Sequence, residues 1–277
     1  MHKIIERIEL AKEIIQIKVE APQIAQKAKP GQFVAVVLDE RGERVPLTIA
    51  DWDKDSITLI FQKVGFTTQK LADLKPGDFI AHILGPLGHP TKVDNFGTVV
   101  CIGGGVGIAE VYPVSRAFKE AGNRVLGIIG SRTKDLIILE SRMKSVCDEL
   151  FVTTDDGTYG KKGLVVDVLR GLLDVVEKST HTKYPELVYA IGPVLMMKAV
   201  ADLTREYKIR TIVSVNPIMV DATGMCGSCR CTVEGKTVFG CVDGPDFDAH
   251  TLDFDELLKR TKLFKTQEQK ADGKKPS

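Results

Sequence analysis

The sequence predicts two folded parts in series, an antiparallel β barrel and then an α/β domain on a parallel sheet, with a cysteine-rich loop near the C-terminus. Three observations carry this. Short apolar runs separated by turn residues fill roughly the first third of the chain. After Pro90 the pattern changes to strand, helix, strand, helix. Finally, Cys226, Cys229, Cys231 and Cys241 gather four of the six cysteines into one segment.

In the first part, Ile15, Ile17 and Val19 alternate with Gln16, Lys18 and Glu20, as on a half-buried strand. Phe33 to Leu38, Val45 to Ala50, Ile57 to Phe61 and Phe79 to Leu84 are further strand candidates. Turn residues at Pro30-Gly31, Asp53 to Asp55, Pro76-Gly77 and Gly85-Pro86 divide them. In the second part, Thr98 to Ile102 reads as a buried strand, followed by glycines and a helix to about Ala121, which Gly122-Asn123 stops. Arg124 to Ile129, Glu149 to Thr153 and Leu187 to Ile191 are the next strands; Ser141 to Asp148, Leu164 to Val176 and Leu195 to Tyr207 are helices. The expected division is a barrel domain over 1–92, an α/β domain over 93–213, a cysteine segment over 214–255 and a C-terminal helix and tail over 256–277. A short helix is expected near 252–263 and a frayed tail from Gln267 to Ser277.

Composition narrows the function. A chain of 277 residues suits two modest domains, and 43% hydrophobic with 27% charged residues is ordinary for a soluble globular protein. A net charge of +1 gives no reason to expect nucleic acid. No apolar run is long enough to span a bilayer, and Met1 to Glu9 is too charged for a secretory signal, so a cytoplasmic protein with no membrane partner is expected. Cysteines clustered in such a chain point to metal rather than to a disulfide framework. Cys101 and Cys147, in apolar or helical contexts, are expected to be buried small hydrophobes.

The cysteine loop carries the strongest chemistry. A plant-type [2Fe–2S] loop reads C-x4-C-x2-C with a distant fourth cysteine. Here Asp221, Cys226, Cys229 and Cys241 keep that spacing with a carboxylate in the first position. Gly224 and Gly227 allow the loop to curl around a cluster. The rival is a structural zinc knuckle. Cys231 is either a plain strand residue or a substitute ligand.

Gly103-Gly104-Gly105-Val106-Gly107, between a strand and a helix, suits a pyrophosphate on backbone N–H groups; the alternative is a tight turn with no ligand. Ser131 and Arg132 stand where the second strand ends, and Arg132 could meet a ribose phosphate, which leaves NAD and NADP both open. Asp155 and Asp156 after the third strand are either turn formers or cofactor contacts. Gly192-Pro193 leaves room for a nicotinamide ring. In the barrel, Arg44-Val45-Pro46-Leu47-Thr48 places a guanidinium and a hydroxyl for a phosphate-bearing cofactor. Gly65, Thr67 and Thr68, near a helix start, form a second phosphate cradle. Preceding a nucleotide domain, these favour a flavin. Glu110 and Asp156 could orient a nicotinamide; no side-chain acid, base or nucleophile is required for hydride transfer.

With these motifs assembled, residues 1 to about 255 resemble the ferredoxin-reductase-like flavoproteins of the dihydroorotate dehydrogenase electron-transfer subunit family. The resemblance implies FAD on the barrel, NAD(H) as substrate on the second domain and a C-terminal [2Fe–2S] loop. Two departures stand out: Glu110 where the family commonly has proline, and Asp221 where it has cysteine. Asn216 to Asp221, Gly224-Met225-Cys226-Gly227 and Cys241-Val242-Asp243-Gly244-Pro245 are similar to one branch, the small subunits of NADH-dependent reduced ferredoxin:NADP oxidoreductases, also called sulfide dehydrogenase small subunits. Ala222 replaces a glycine often seen there, a mild change. That branch implies a heterodimer with a larger flavin and [4Fe–4S] subunit, itself resembling a glutamate synthase small subunit. It further implies electron bifurcation, with ferredoxin reached through the partner. Two rival readings are an electron-transfer subunit serving a dihydroorotate dehydrogenase core, against which Asp221 argues, and a zinc-stabilised binding protein that retains only the fold.

Overall fold

The computed structural model describes residues 1–39, 42–177 and 183–261. The chain opens with strand β1 (His2–Ala11) and β2 (Ile14–Glu20), a short helix α1 (Pro22–Ala25), β3 (Phe33–Val37), β4 (Val45–Trp52), β5 (Ser56–Gln62), helix α2 (Phe66–Asp73), β6 (Phe79–Ile80) and β7 (His82–Leu87). The strands form one antiparallel sheet in the order β6-β1-β2-β5-β4-β3-β7. Its two edge strands are consecutive in the chain, so the sheet curls into a nearly closed barrel. Ile15, Ile17 and Val19 fill the barrel core with Val34, Val36, Leu47, Ile49, Ile57, Leu59 and Phe61. The expected run from Phe79 to Leu84 is two strands, broken at Ala81. β1 carries almost no pattern: Ile4 is buried, whereas Ile5 and Ile8 are exposed among charged neighbours, and two register shifts interrupt its pairing with β2.

The α/β part follows: β8 (Thr98–Gly104), α3 (Gly107–Glu120), β9 (Arg124–Ser131), α4 (Glu140–Val146), β10 (Glu149–Thr154), a two-residue β11 (Lys161–Lys162), α5 (Val165–Glu177), β12 (Leu187–Ile191), α6 (Val194–Glu206) and β13 (Thr211–Ser214). The helices are amphipathic. α5 buries Val165, Val168, Leu169 and Leu173, a spacing of three and four that lines one face. β8 and β12 are buried along nearly their whole length, as parallel strands covered on both faces require.

The cysteine segment then folds as a hairpin of β14 (Arg230–Val233) and β15 (Lys236–Phe239), followed by β16 (Asp246–Asp248) and α7 (Phe254–Thr261). β16 adds antiparallel to β13, which completes the second sheet as β11-β10-β9-β8-β12-β13-β16. The described residues form two compact units: those within 1–90, 216–245 and 253–261 in one, those within 91–215 and 246–252 in the other. The expected 214–255 segment is therefore divided, because β16 pairs with β13. α7 begins at Phe254 and corresponds to the helix expected near 252–263; the tail expected from Gln267 lies outside the described residues. Among the described residues no helix is long and apolar enough to cross a membrane.

Candidate functional site

The cysteine loop is seated on the outer face of β3. Strand alternation sends Val34 and Val36 into the barrel core, and Phe33 and Ala35 to the opposite side. There Phe33 and Ala35 pack with Ala222, Cys229 and Cys241, bordered by Leu84, Leu87, Met219 and Phe239. Gly224 has a φ of +88°, and a Cβ on it would lie 2.5 Å from a methyl of Val242, so this tight curl needs glycine. Ala222, by contrast, holds a φ of +62° with a side chain that is buried. Its methyl fills the apolar seat, while the backbone takes a conformation better suited to glycine.

Two ligand-type pairs emerge. The Cys229 and Cys241 sulfurs lie 3.2 Å apart in a buried setting, and burial pushes the Cys241 thiol up to about 12. As metal ligands the two sulfurs would be thiolates, and the bound cation would hold their charges together. The second pair is Asp221 and Cys226. The Cys226 N–H donates to Asp221 Oδ2 at 3.0 Å, and the Thr223 N–H donates to Oδ1 at 2.7 Å. These bonds hold the Asp221 carboxyl below its ordinary value, Thr223 contributing most. Each carboxylate oxygen keeps a lone pair for a metal. Cys226 is exposed, and its thiol is lowered chiefly by the Ser228 hydroxyl. Cys231 lies on β14, its sulfur turned to the Cys229 carbonyl at 3.6 Å, and burial raises it to about 12. Cys101 is fully buried and Cys147 half-buried, as expected of small apolar residues.

This arrangement distinguishes the two metals considered. A zinc site needs four donors around one ion, yet among the described residues no three His, Cys, Asp or Glu side chains converge as a metal-holding group. A [2Fe–2S] cluster needs two donors on each of two irons. Two separate pairs on one loop fit that demand.

The flavin candidates lie on the same face of the barrel. β4 is paired with β3 so that Thr48 faces Phe33 and Pro46 faces Ala35. Val45 and Leu47 turn to the core, which leaves Arg44, Pro46 and Thr48 on the side that carries the cysteine loop. Arg44 Nη1 donates to the Asp221 carbonyl at 2.8 Å. Its guanidinium has further N–H groups for a phosphate. The cradle at α2 is partly occupied by its own bonds. The Thr68 hydroxyl accepts from the Val64 and Gly65 N–H groups at 3.1 and 3.0 Å and donates to the Gly65 carbonyl at 2.9 Å, and Thr67 donates to Glu43. Gly65 itself borders open space.

In the second unit, β8 has β9 on one side and β12 on the other, so the strand order reverses at this point and the loops after β8 and β12 meet at the carboxyl ends. A Cβ on Gly107 would lie 2.6 Å from the Ile191 carbonyl oxygen, and one on Gly104 would meet Met196 and Pro193. Gly103, Gly104, Gly107 and Gly192 are thus held close by protein packing. Gly105 alone in the loop faces open space, ahead of Val106 and the first turn of α3. The Ser131 hydroxyl donates to the Thr133 carbonyl at 2.6 Å, and Arg132 is exposed. Asp156 accepts from the Thr158 N–H and hydroxyl at 2.9 and 2.7 Å, a side-chain-closed turn, and Asp155 is exposed beside it. Glu110 differs: it has no hydrogen-bond partner among the described residues, and desolvation pushes its carboxyl up to about 7. Residue patterns singled out neither Ser228, Arg260 nor Met196, all of which touch these loops; a hydroxyl between two spaced cysteines was the one available signal.

Comparison with known proteins agrees with this architecture. Residues 216–253 match the iron–sulfur cluster binding domain of dihydroorotate dehydrogenase B. Over 270 residues, 97% of this chain and 93% of the relative, the chain is 42% identical to a Thermotoga maritima homologue of the dihydroorotate dehydrogenase B (NAD(+)) electron transfer subunit. The chain belongs to the dihydroorotate dehydrogenase B electron-transfer-subunit family. Members of this family are by name subunits, so a partner subunit is implied. A chain in the solved structure of an NADH-dependent reduced ferredoxin-NADP oxidoreductase, studied for flavin-based electron bifurcation, is 41% identical with a TM-score of 0.90, covering 98% of this chain and 96% of that one. Phthalate dioxygenase reductase, 16% identical with a TM-score of 0.58 over 91% of this chain and 97% of its own, shares the fold. The family fold is thus the ferredoxin-reductase arrangement of barrel, parallel sheet and cysteine loop.

Proposed function

We propose that this chain is the small, electron-transfer subunit of a cytoplasmic heterodimer of the NADH-dependent reduced ferredoxin:NADP oxidoreductase type, exchanging electrons between NAD(H) and a larger bifurcating subunit. The observation that supports this best lies within the first unit: Arg44 and Thr48 stand on the barrel face that seats Cys229 and Cys241. FAD, when bound, supplies two-to-one-electron switching, and the [2Fe–2S] cluster supplies one-electron transfer.

The chain's own residues bind and orient. Arg44 and Thr48 hold the flavin phosphates. The loop from Gly103 to Gly107, with Gly192 and Pro193, receives the nicotinamide nucleotide, and Glu110, its carboxyl pushed up to about 7 by desolvation, donates to a carboxamide in its protonated form. Asp221, Cys226, Cys229 and Cys241 hold the irons, and the pair with the exposed Cys226 marks the exit. Exposed Val220, Met225 and Val242 surround it as an apolar rim for the larger flavin and [4Fe–4S] subunit, through which ferredoxin is reached. Six free cysteines suit a reducing compartment.

The family name favours a second reading, electron delivery to a dihydroorotate dehydrogenase core. Asp221 weighs against it. Affinity purification from cells that express all candidate partners decides: recovery of a large flavin and [4Fe–4S] subunit supports the first reading, and recovery of a dihydroorotate-oxidising subunit replaces it with the second.

A further inference from the structure

We propose that Ser228 is a positioning residue for the cluster: its hydroxyl donates to the Cys226 sulfur, fixes the Asp221–Cys226 pair and raises the cluster's reduction potential. The inference rests on the ligand set proposed above. A hydroxyl has one proton and two lone pairs. The Val220 N–H donates to Ser228 Oγ at 3.0 Å and takes one lone pair. The Cys226 sulfur, 3.0 Å from the same oxygen, is left as the partner for the proton. A ligand sulfur is a thiolate with no proton of its own, so the bond runs from serine to sulfur.

Two further contacts pin the group. The Ser228 N–H reaches the same sulfur at 3.5 Å, and the Ser228 carbonyl accepts from Arg260 Nη2 on α7 at 2.8 Å. Val220 directly precedes Asp221, so one hydroxyl ties together the backbone at one ligand and the sulfur of the other. Cys229 and Cys241 are buried and, among the described residues, receive no side-chain hydroxyl; the Gly224 N–H serves Cys241. One-electron reduction adds negative charge to the sulfurs, and a donor on one of them favours the reduced form.

The test compares Ser228→Thr with Ser228→Val, nearly equal in shape and different in the hydroxyl, by an EPR-monitored redox titration of the complete heterodimer. The threonine variant is expected to keep the parent midpoint. The valine variant is expected to hold iron and sulfide but to show, at the parent midpoint, a reduced-to-oxidised ratio lowered roughly three- to tenfold; a tenfold change is about 59 mV for one electron. A valine variant with full iron and sulfide and an unmoved midpoint overturns the proposal, as does a threonine variant displaced equally far. Loss of the cluster from the valine variant alone supports the hydroxyl's positioning role. If both variants lose it, pulsed EPR of the unmodified protein in D2O decides: a hydroxyl deuteron coupled to the cluster supports the bond, and its absence overturns it. An unmodified protein with no iron–sulfur signal would instead sink the ligand assignment itself.

Discussion

Arg44 Nη1 donates to the carbonyl oxygen of Asp221 at 2.8 Å, across 177 residues of sequence. One guanidinium, just ahead of the barrel strand expected to hold the flavin, thus also reaches the first position of the cysteine loop. Arg44→Ala is expected to lower flavin content and cluster content together, at a cost to the loop of about 1.5–3 kcal/mol for a lost charged hydrogen bond. Arg44→Lys restores charge but not the fork that serves two partners, so only partial recovery is expected. Flavin release and iron analysis of the purified variants check this. Loss of flavin with full iron would show that the Asp221 contact is dispensable.

The cysteines are expected to divide by position. Cys229→Ser and Cys241→Ser break the buried pair and abolish the cluster. Cys231→Ser, on β14 with its sulfur toward a carbonyl, leaves iron and sulfide content unchanged. Colorimetric iron and sulfide determination is sufficient, and a Cys231→Ser protein without iron would place that residue among the ligands.

Two glycines of one loop are expected to respond differently. Gly107→Ala drives a methyl against the Ile191 backbone, 2.6 Å from its oxygen, with no flexible side chain to yield. Overpacking of this kind costs about 1–3 kcal/mol. Gly105→Ala meets open space and pays only for its φ of +59°, about 1–2 kcal/mol. Thermal denaturation with NADH titration should show Gly107→Ala losing stability and affinity together, and Gly105→Ala weakening NADH binding with the smaller loss of stability.

Asp246 gives a pH signature within the second unit. It accepts from the Tyr189 hydroxyl at 2.9 Å and from Thr91 at 2.7 Å, and burial pushes its carboxyl up to about 6 from an ordinary 3.8. Protonation therefore favours the folded form. The contribution is fully present below about pH 4, the unfolded value, and is lost as pH rises through about 6. Asp246→Asn should flatten the stability-against-pH curve over that window in chemical denaturation; an unchanged slope assigns it to other groups.

Much of this was legible in the residues because it rests on local pattern. Alternation at Ile15, Ile17 and Val19 marks β2, and the glycines after Ile102 mark the turn into α3. β1 was not legible: its neighbours are charged, its register shifts twice, and only pairing with β2 and β6 makes it a strand. β16 escaped for the same reason, since three residues acquire meaning only beside β13. At the site, spacing pointed to the four ligand candidates, but no local pattern reveals that Phe33 and Ala35 provide their seat, or that Arg260 reaches Ser228. Ala222, expected as a mild replacement, holds a left-handed backbone conformation that sequence alone does not reveal.

If one chain joins nicotinamide, flavin and cluster, an EPR spectrum of the anaerobically purified protein before and after NADH shows it. A reduced [2Fe–2S] signal is expected to appear on adding NADH while the flavin absorbance bleaches. Bleached flavin with an iron-loaded but EPR-silent cluster would break the proposed route, and a colourless protein containing zinc would rule out an electron-transfer role.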